Sequence, residues 1–88
     1  MSVFLLNDKE EILLEIDDDI SLYDGLFLEI NLKSNEALLK NKNQKIDIGY
    51  VHPEIMSCLK KNRYLFVIKR SDKCFALNYK QVDVLFVD

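Results

Sequence analysis

Few residues in this sequence are of a type that does chemistry. His52 is the single histidine, and Cys58 and Cys74 are the two cysteines. A thiolate beside an imidazole makes a nucleophile and base, and one histidine with two cysteines makes most of a zinc site. The spacing supports neither. There is no CxxC or CxxxC pair, nothing near His52 supplies an orienting third group, and Cys58 falls in an apolar stripe of helical period. His52 therefore reads as a helix N-cap and the thiols as reduced core fillers. Ser2, Ser21, Ser34, Ser57 and Ser71 have no GxSxG context. The two glycines, Gly25 and Gly49, build no phosphate loop. The expectation is a protein without enzymatic activity, cofactor or metal.

Two charged clusters remain. Asp17, Asp18, Asp19 and Asp24, with Glu15 just before them, form an acidic segment, and the four aspartates are carboxylates of the kind a hard cation takes. A calcium loop, however, alternates its acids around a glycine and closes on a glutamate, whereas consecutive acids in an extended segment point apart. This cluster reads as a polar strand-ending turn; the alternative is an acidic patch that meets a basic partner or mimics nucleic-acid phosphates. The second cluster is Lys60, Lys61, Arg63, Lys69, Arg70, Lys73 and Lys80, with Tyr64, Phe66, Phe75 and Tyr79 interleaved. Bases stacking on aromatic rings above a basic groove would suit single-stranded nucleic acid. Against that, Lys60 and Lys61 already suit a helix C-terminus, charges commonly protect hairpin edges, and arginine occurs only twice.

Positioning these residues falls to one domain, residues 1–88, with one core. Hydrophobic residues make up 49% of the chain and charged residues 31%, a balance that excludes a disordered or collagen-like segment. No apolar run approaches the roughly 20 residues that span a bilayer. Residues 1–8 lack the basic start of a signal peptide, and two cysteines are thin support for a disulfide scaffold, so a cytoplasmic location is expected. The net charge of −3 divides unevenly: residues 1–44 hold ten acids and four lysines (−6), residues 45–88 five acids and eight bases (+3). Such halves either form opposed patches that steer a charged partner or interleave in the fold so that the charges mix, and an acidic total argues against the whole domain binding nucleic acid.

Short apolar runs and alternations predict strands at 3–6, 12–16, 26–33, 45–51, 64–69, 74–79 and 82–87. Residues 37–39 fit either a short strand or a helical turn. The first two strands read as a hairpin, as do the pair 64–69 and 74–79. The last strand fits beside either of that pair or as a continuation of the second. A helix over about 53–62 starts at His52-Pro53-Glu54, with proline at the first helical position, and ends at Lys60-Lys61. The expected fold is α+β: a mostly antiparallel, strongly curved or split β-sheet of about six to seven short strands, with one short helix before the last strands.

Residues 3–6, 12–14, 64–68 and 84–87 are apolar on both faces, the pattern of strands covered on both sides. One short helix cannot cover a whole sheet face. A second sheet, a second copy of the chain or a different protein must do so, and an interface is the favoured answer. The expected function is binding to another protein, or to itself as a homodimer, through an apolar sheet face, a strand edge or the acidic residues. An inhibitor, an immunity or anti-defence protein, or an adaptor subunit fits this description. The lysine-, asparagine- and isoleucine-rich composition resembles products of AT-rich bacterial, phage or large viral genomes. The alternative is a small nucleic-acid-binding domain using the basic and aromatic C-terminal strands.

Overall fold

The computed structural model describes residues 2–18, 20 and 25–88. Eight strands and one helix follow in the order β1 (Ser2–Asn7), β2 (Ile12–Ile16), β3 (Phe27–Asn31), β4 (Glu36–Lys40), β5 (Lys45–Tyr50), α1 (Pro53–Lys60), β6 (Tyr64–Arg70), β7 (Lys73–Asn78) and β8 (Asp83–Val87). They form two four-stranded sheets, β2-β1-β6-β7 and β5-β4-β3-β8. All pairs are antiparallel except β3 with β8.

With only two glycines in the chain, the turns are made largely by asparagine. Asn7, Asn31, Asn41 and Asn78 each end a strand or follow one, and the side-chain oxygen of each accepts the backbone N–H two residues on, at Lys9, Lys33, Asn43 and Lys80 (all 2.9 Å). This is the turn that an Asx side chain makes in place of a backbone carbonyl. Glu10 and Asn35 complete the first two turns from the left-handed region, at φ 63° and 57°.

Alternation sorts each central strand into an inner and an outer row. Val3 and Leu5 of β1, Tyr64, Phe66 and Ile68 of β6, Leu28 and Ile30 of β3, and Ala37 and Leu39 of β4 are buried between the sheets. Ile55, Met56 and Leu59 of α1 join them. The helix starts with Pro53 at the first turn and carries Glu54 there and Lys60 in the last turn, each at the dipole end that suits its charge.

The α+β class and the single helix are as the sequence predicts; the sheet arrangement is not. Among the described residues there are eight strands rather than six to seven, in two separate sheets rather than one curved or split sheet. Residues 37–39 are strand, because Ala37 and Leu39 face the core while Glu36, Leu38 and Lys40 face out. The helix ends at Lys60, two residues early, because Asn62 turns into the left-handed region at φ 56°. β8 joins neither β6 nor β7 but crosses to the other sheet beside β3. His52 occupies the N-cap position without a side-chain capping bond, its ring instead edge-on to Tyr50 with centroids 5.3 Å apart. Cys74 is exposed on β7 rather than in the core, and Cys58 is half-buried.

The crossover to β8 is fixed at its start. Val82 is fully buried, and the Tyr64 hydroxyl donates a hydrogen bond to its carbonyl at 2.9 Å. Burial, with a smaller contribution from the Asp83 carboxylate, raises the Tyr64 pKa above its ordinary value. The unfolded chain therefore loses this proton at lower pH than the folded one, and stability is expected to fall as pH rises above about 10. Tyr64→Phe leaves the buried carbonyl unpaired, at about 1–3 kcal/mol, and removes that residue's share of the alkaline loss. Urea midpoints of both proteins between neutral and alkaline pH check this.

Candidate functional site

The two outer faces differ in chemistry. On the second sheet, Glu29 and Lys40 form an ion pair at 3.4 Å, and the Lys40 ammonium lies 5.9 Å from the Phe27 ring centre. Leu85 and Val87 are exposed beside them. Polar and apolar side chains alternate over this face, which is ordinary solvated sheet surface.

The outer face of the first sheet is more apolar. Register sets Phe4 opposite Val67 and Leu6 opposite Leu65 across β1 and β6, with Glu15 beside Phe4 and Ile12 beside Leu6 on β2, and Ala76 beside Val67 on β7. None of Phe4, Leu6, Leu65 and Val67 is fully buried, and Ile12 is 62% exposed. Phe4, Leu6, Ile12 and Val67, with Glu10 and Lys69, line an open depression of about 250 Å³. Its two ends are charged. Lys69 sits opposite Ser2 at the start of β1, its ammonium 5.4 Å from the Phe4 ring centre, whereas Glu10 lies in the turn beyond the end of β1.

Of the acidic residues singled out from sequence, Glu15, Asp17 and Asp18 are exposed at the end of β2 and just beyond it. Asp19 and Asp24 lie outside the described residues. The Arg70 guanidinium, half-buried at the end of β6, donates to the Ile20 carbonyl at 3.0 Å. The basic tip of the β6–β7 hairpin is thus tied to the chain just after the acids, so at this end the two kinds of charge interleave.

The basic residues divide. Lys60, Lys61, Arg63 and Lys80 are exposed near the start of β6 and the end of β7, whereas Lys69, Arg70 and Lys73 lie at the opposite end of that hairpin. The length of β6, about 20 Å, separates the groups. Three of the seven already make internal contacts: Lys69 over Phe4, Lys60 over Phe86 at 5.9 Å, and Arg70 on Ile20. Neutralising seven phosphates together would make the logarithm of single-strand affinity fall with the logarithm of salt at a slope near 5. A surface offering three or four should give only about 2–3. Fluorescence anisotropy with a labelled oligonucleotide over a salt series reads this slope.

Among the described residues, no group of three or more histidine, cysteine, aspartate or glutamate side chains is placed to hold a metal ion. No helix among them is long and apolar enough to cross a membrane. Sequence reasoning flagged β1 and β6 as apolar on both faces but did not single out Phe4, Leu6, Ile12 and Val67 as a site. Strand pairing, which brings residues some sixty positions apart side by side, was the missing information. Compared with protein family models, curated proteins and solved structures, the chain finds no match.

Proposed function

We propose that this chain is a binding protein rather than an enzyme, and that it engages another protein through the outer face of the first sheet. The observation that carries the reading is the open apolar depression at Phe4, Leu6, Ile12 and Val67, charged at opposite ends by Lys69 and Glu10. Apolar surface left in water on a small domain marks an interaction site when it is contiguous. The end charges give the partner a definite chemistry. It presents a large apolar side chain to the depression, with an acid placed for Lys69 and a base or amide placed for Glu10. Glu15 extends the polar rim on the β2 side, and the exposed Asp17 and Asp18 continue it towards a basic partner surface.

Protein captured from host extract by the wild-type chain should be lost with Ile12→Glu and weakened by Lys69→Glu. Both variants alter exposed side chains and should keep the wild-type circular dichroism. Capture unchanged by Ile12→Glu would place binding elsewhere, with charge reversal at Asp17 and Asp18 as the next test.

A further inference from the structure

Four strands form the sheet edges, and three of them are blunted in the ways that discourage edge pairing. β2 is five residues long and meets a register break opposite Leu5 and Leu6. β5 has a break opposite Ala37 and Leu38 and carries Lys45 and Asp47. β8 begins at Asp83 and is followed by Asp88. β7 shares only the terminal charge. It runs six residues in unbroken register with β6, contains no proline, and has its one charge at its first residue, Lys73.

The hydrogen-bonding groups on that edge can be assigned. Arg70 and Lys73 close a two-residue loop of Ser71 and Asp72, and the pair that closes such a loop exchanges both backbone bonds. Alternation then turns the backbone groups of Lys73, Phe75 and Leu77 toward β6 and those of Cys74, Ala76 and Asn78 away from it. Asn78 is already satisfied: its N–H donates to the Gln81 side chain at 2.8 Å, and its carbonyl accepts from the Gln81 and Val82 N–H groups at 2.9 and 3.0 Å. The open groups are those of Cys74 and Ala76.

We infer that a second copy of this chain pairs with β7, antiparallel about a two-fold axis at Phe75. That register puts Cys74 opposite Ala76 of the other copy, and Ala76 opposite its Cys74, so all four open N–H and C=O groups on each edge are matched by the same four on the other. An interface that is its own complement is what a two-fold homodimer requires. A longer foreign strand would meet Asn78, whose groups are already taken. Phe75, 38% exposed, faces its own counterpart on the inner side. Lys73 falls opposite Leu77, so no like charges oppose each other. The two first sheets become one of eight strands, in which the row Phe4, Val67 and Ala76 runs on into Cys74 and Lys69 of the other copy.

Light scattering over a range of concentrations should show a particle of twice the 10.3 kDa chain mass, dissociating on dilution. Ala76→Pro removes an outward N–H without breaking a bond to β6, and should weaken association at least tenfold while circular dichroism stays unchanged; Ala76→Lys should do the same by charge. Phe75 in this register sits on the axis in a closely spaced pair, with Cα atoms about 4.5 Å apart, within disulfide range. Phe75→Cys in a Cys74→Ser background should therefore cross-link on mild oxidation, and the wild-type Cys74, offset from its counterpart, should not. A monomer at every concentration overturns the inference, including one whose β7 amides gain protection only when a different protein binds. A dimer indifferent to both Ala76 variants, or one that cross-links through Cys74 instead, overturns it as well.

Discussion

Phe66→Ala is expected to destabilise the protein by about 3–5 kcal/mol, the usual cost of deleting a buried phenyl ring. The ring is 1% exposed in the middle of β6. Leu5 on β1 and Leu77 on β7 flank it across the ladder, and Tyr64 meets it edge-on with centroids 5.8 Å apart. A small domain has little reserve: at roughly 0.05–0.15 kcal/mol per residue, a chain of this length holds about 4–13 kcal/mol. At the low end of that reserve the variant sits close to its unfolding midpoint in ordinary buffer, and at the high end it still loses about a quarter to a third of its stability. Urea denaturation followed by circular dichroism should show the midpoint collapse, whereas Leu85→Ala, on an exposed side chain, should move it by less than about 1 kcal/mol. A Phe66→Ala midpoint within that same margin would mean that the core does not centre on β6.

What was legible in the sequence follows from how local each signal is. Hairpins β1–β2 and β6–β7 were readable because a few adjacent residues set the turn and alternation sets the strands. The helix was readable because Pro53, Glu54 and Lys60 mark its ends. β4 was not, since Ala37-Leu38-Leu39 is too short for a period of two to be told from a period of 3.6. Nor was the partner of β8, which is chosen by Tyr64 and Val82 across the core and by no residue next to it in the chain. The division into two sheets does not depend on β8, since β3, β4 and β5 already pair apart from β1, β2, β6 and β7.

The same distinction governs the surface. Counting charges along the chain separated an acidic half from a basic half, but Arg70 on Ile20 folds the basic hairpin tip against the acidic segment, and β6 holds the remaining bases a strand length away. Charge clusters in sequence became neighbours or strangers according to strand direction. The apolar surplus fared better: both-face apolar strands need two covers, and the second sheet is one of them. The outer rows of β1 and β6 are the part of the surplus left over, and the proposed binding face rests on them.

That face makes the second large prediction. Phe4 lies near its centre, flanked by Glu15 on one side and Val67 on the other, with Lys69 above the ring. Aromatic side chains at the centre of an interface, ringed by residues that exclude water, commonly lose about 2–4 kcal/mol of binding energy on truncation, or roughly 30- to 700-fold in Kd. Phe4→Ala should produce a loss of that size against whichever protein the wild-type chain captures, measured by calorimetry. Its own fold should suffer less, by about 1–2 kcal/mol, because a half-buried ring forfeits only part of the burial energy of a full one. The decisive quantity is the ratio of the two effects. A core residue loses stability first and binding only as a consequence, so its Kd recovers once the folded fraction is corrected for. A contact residue loses binding in a protein that remains folded. Leu85→Ala on the opposite sheet supplies the control, with neither effect expected. Equal losses from Phe4→Ala and Leu85→Ala would remove the first sheet's face from the binding surface.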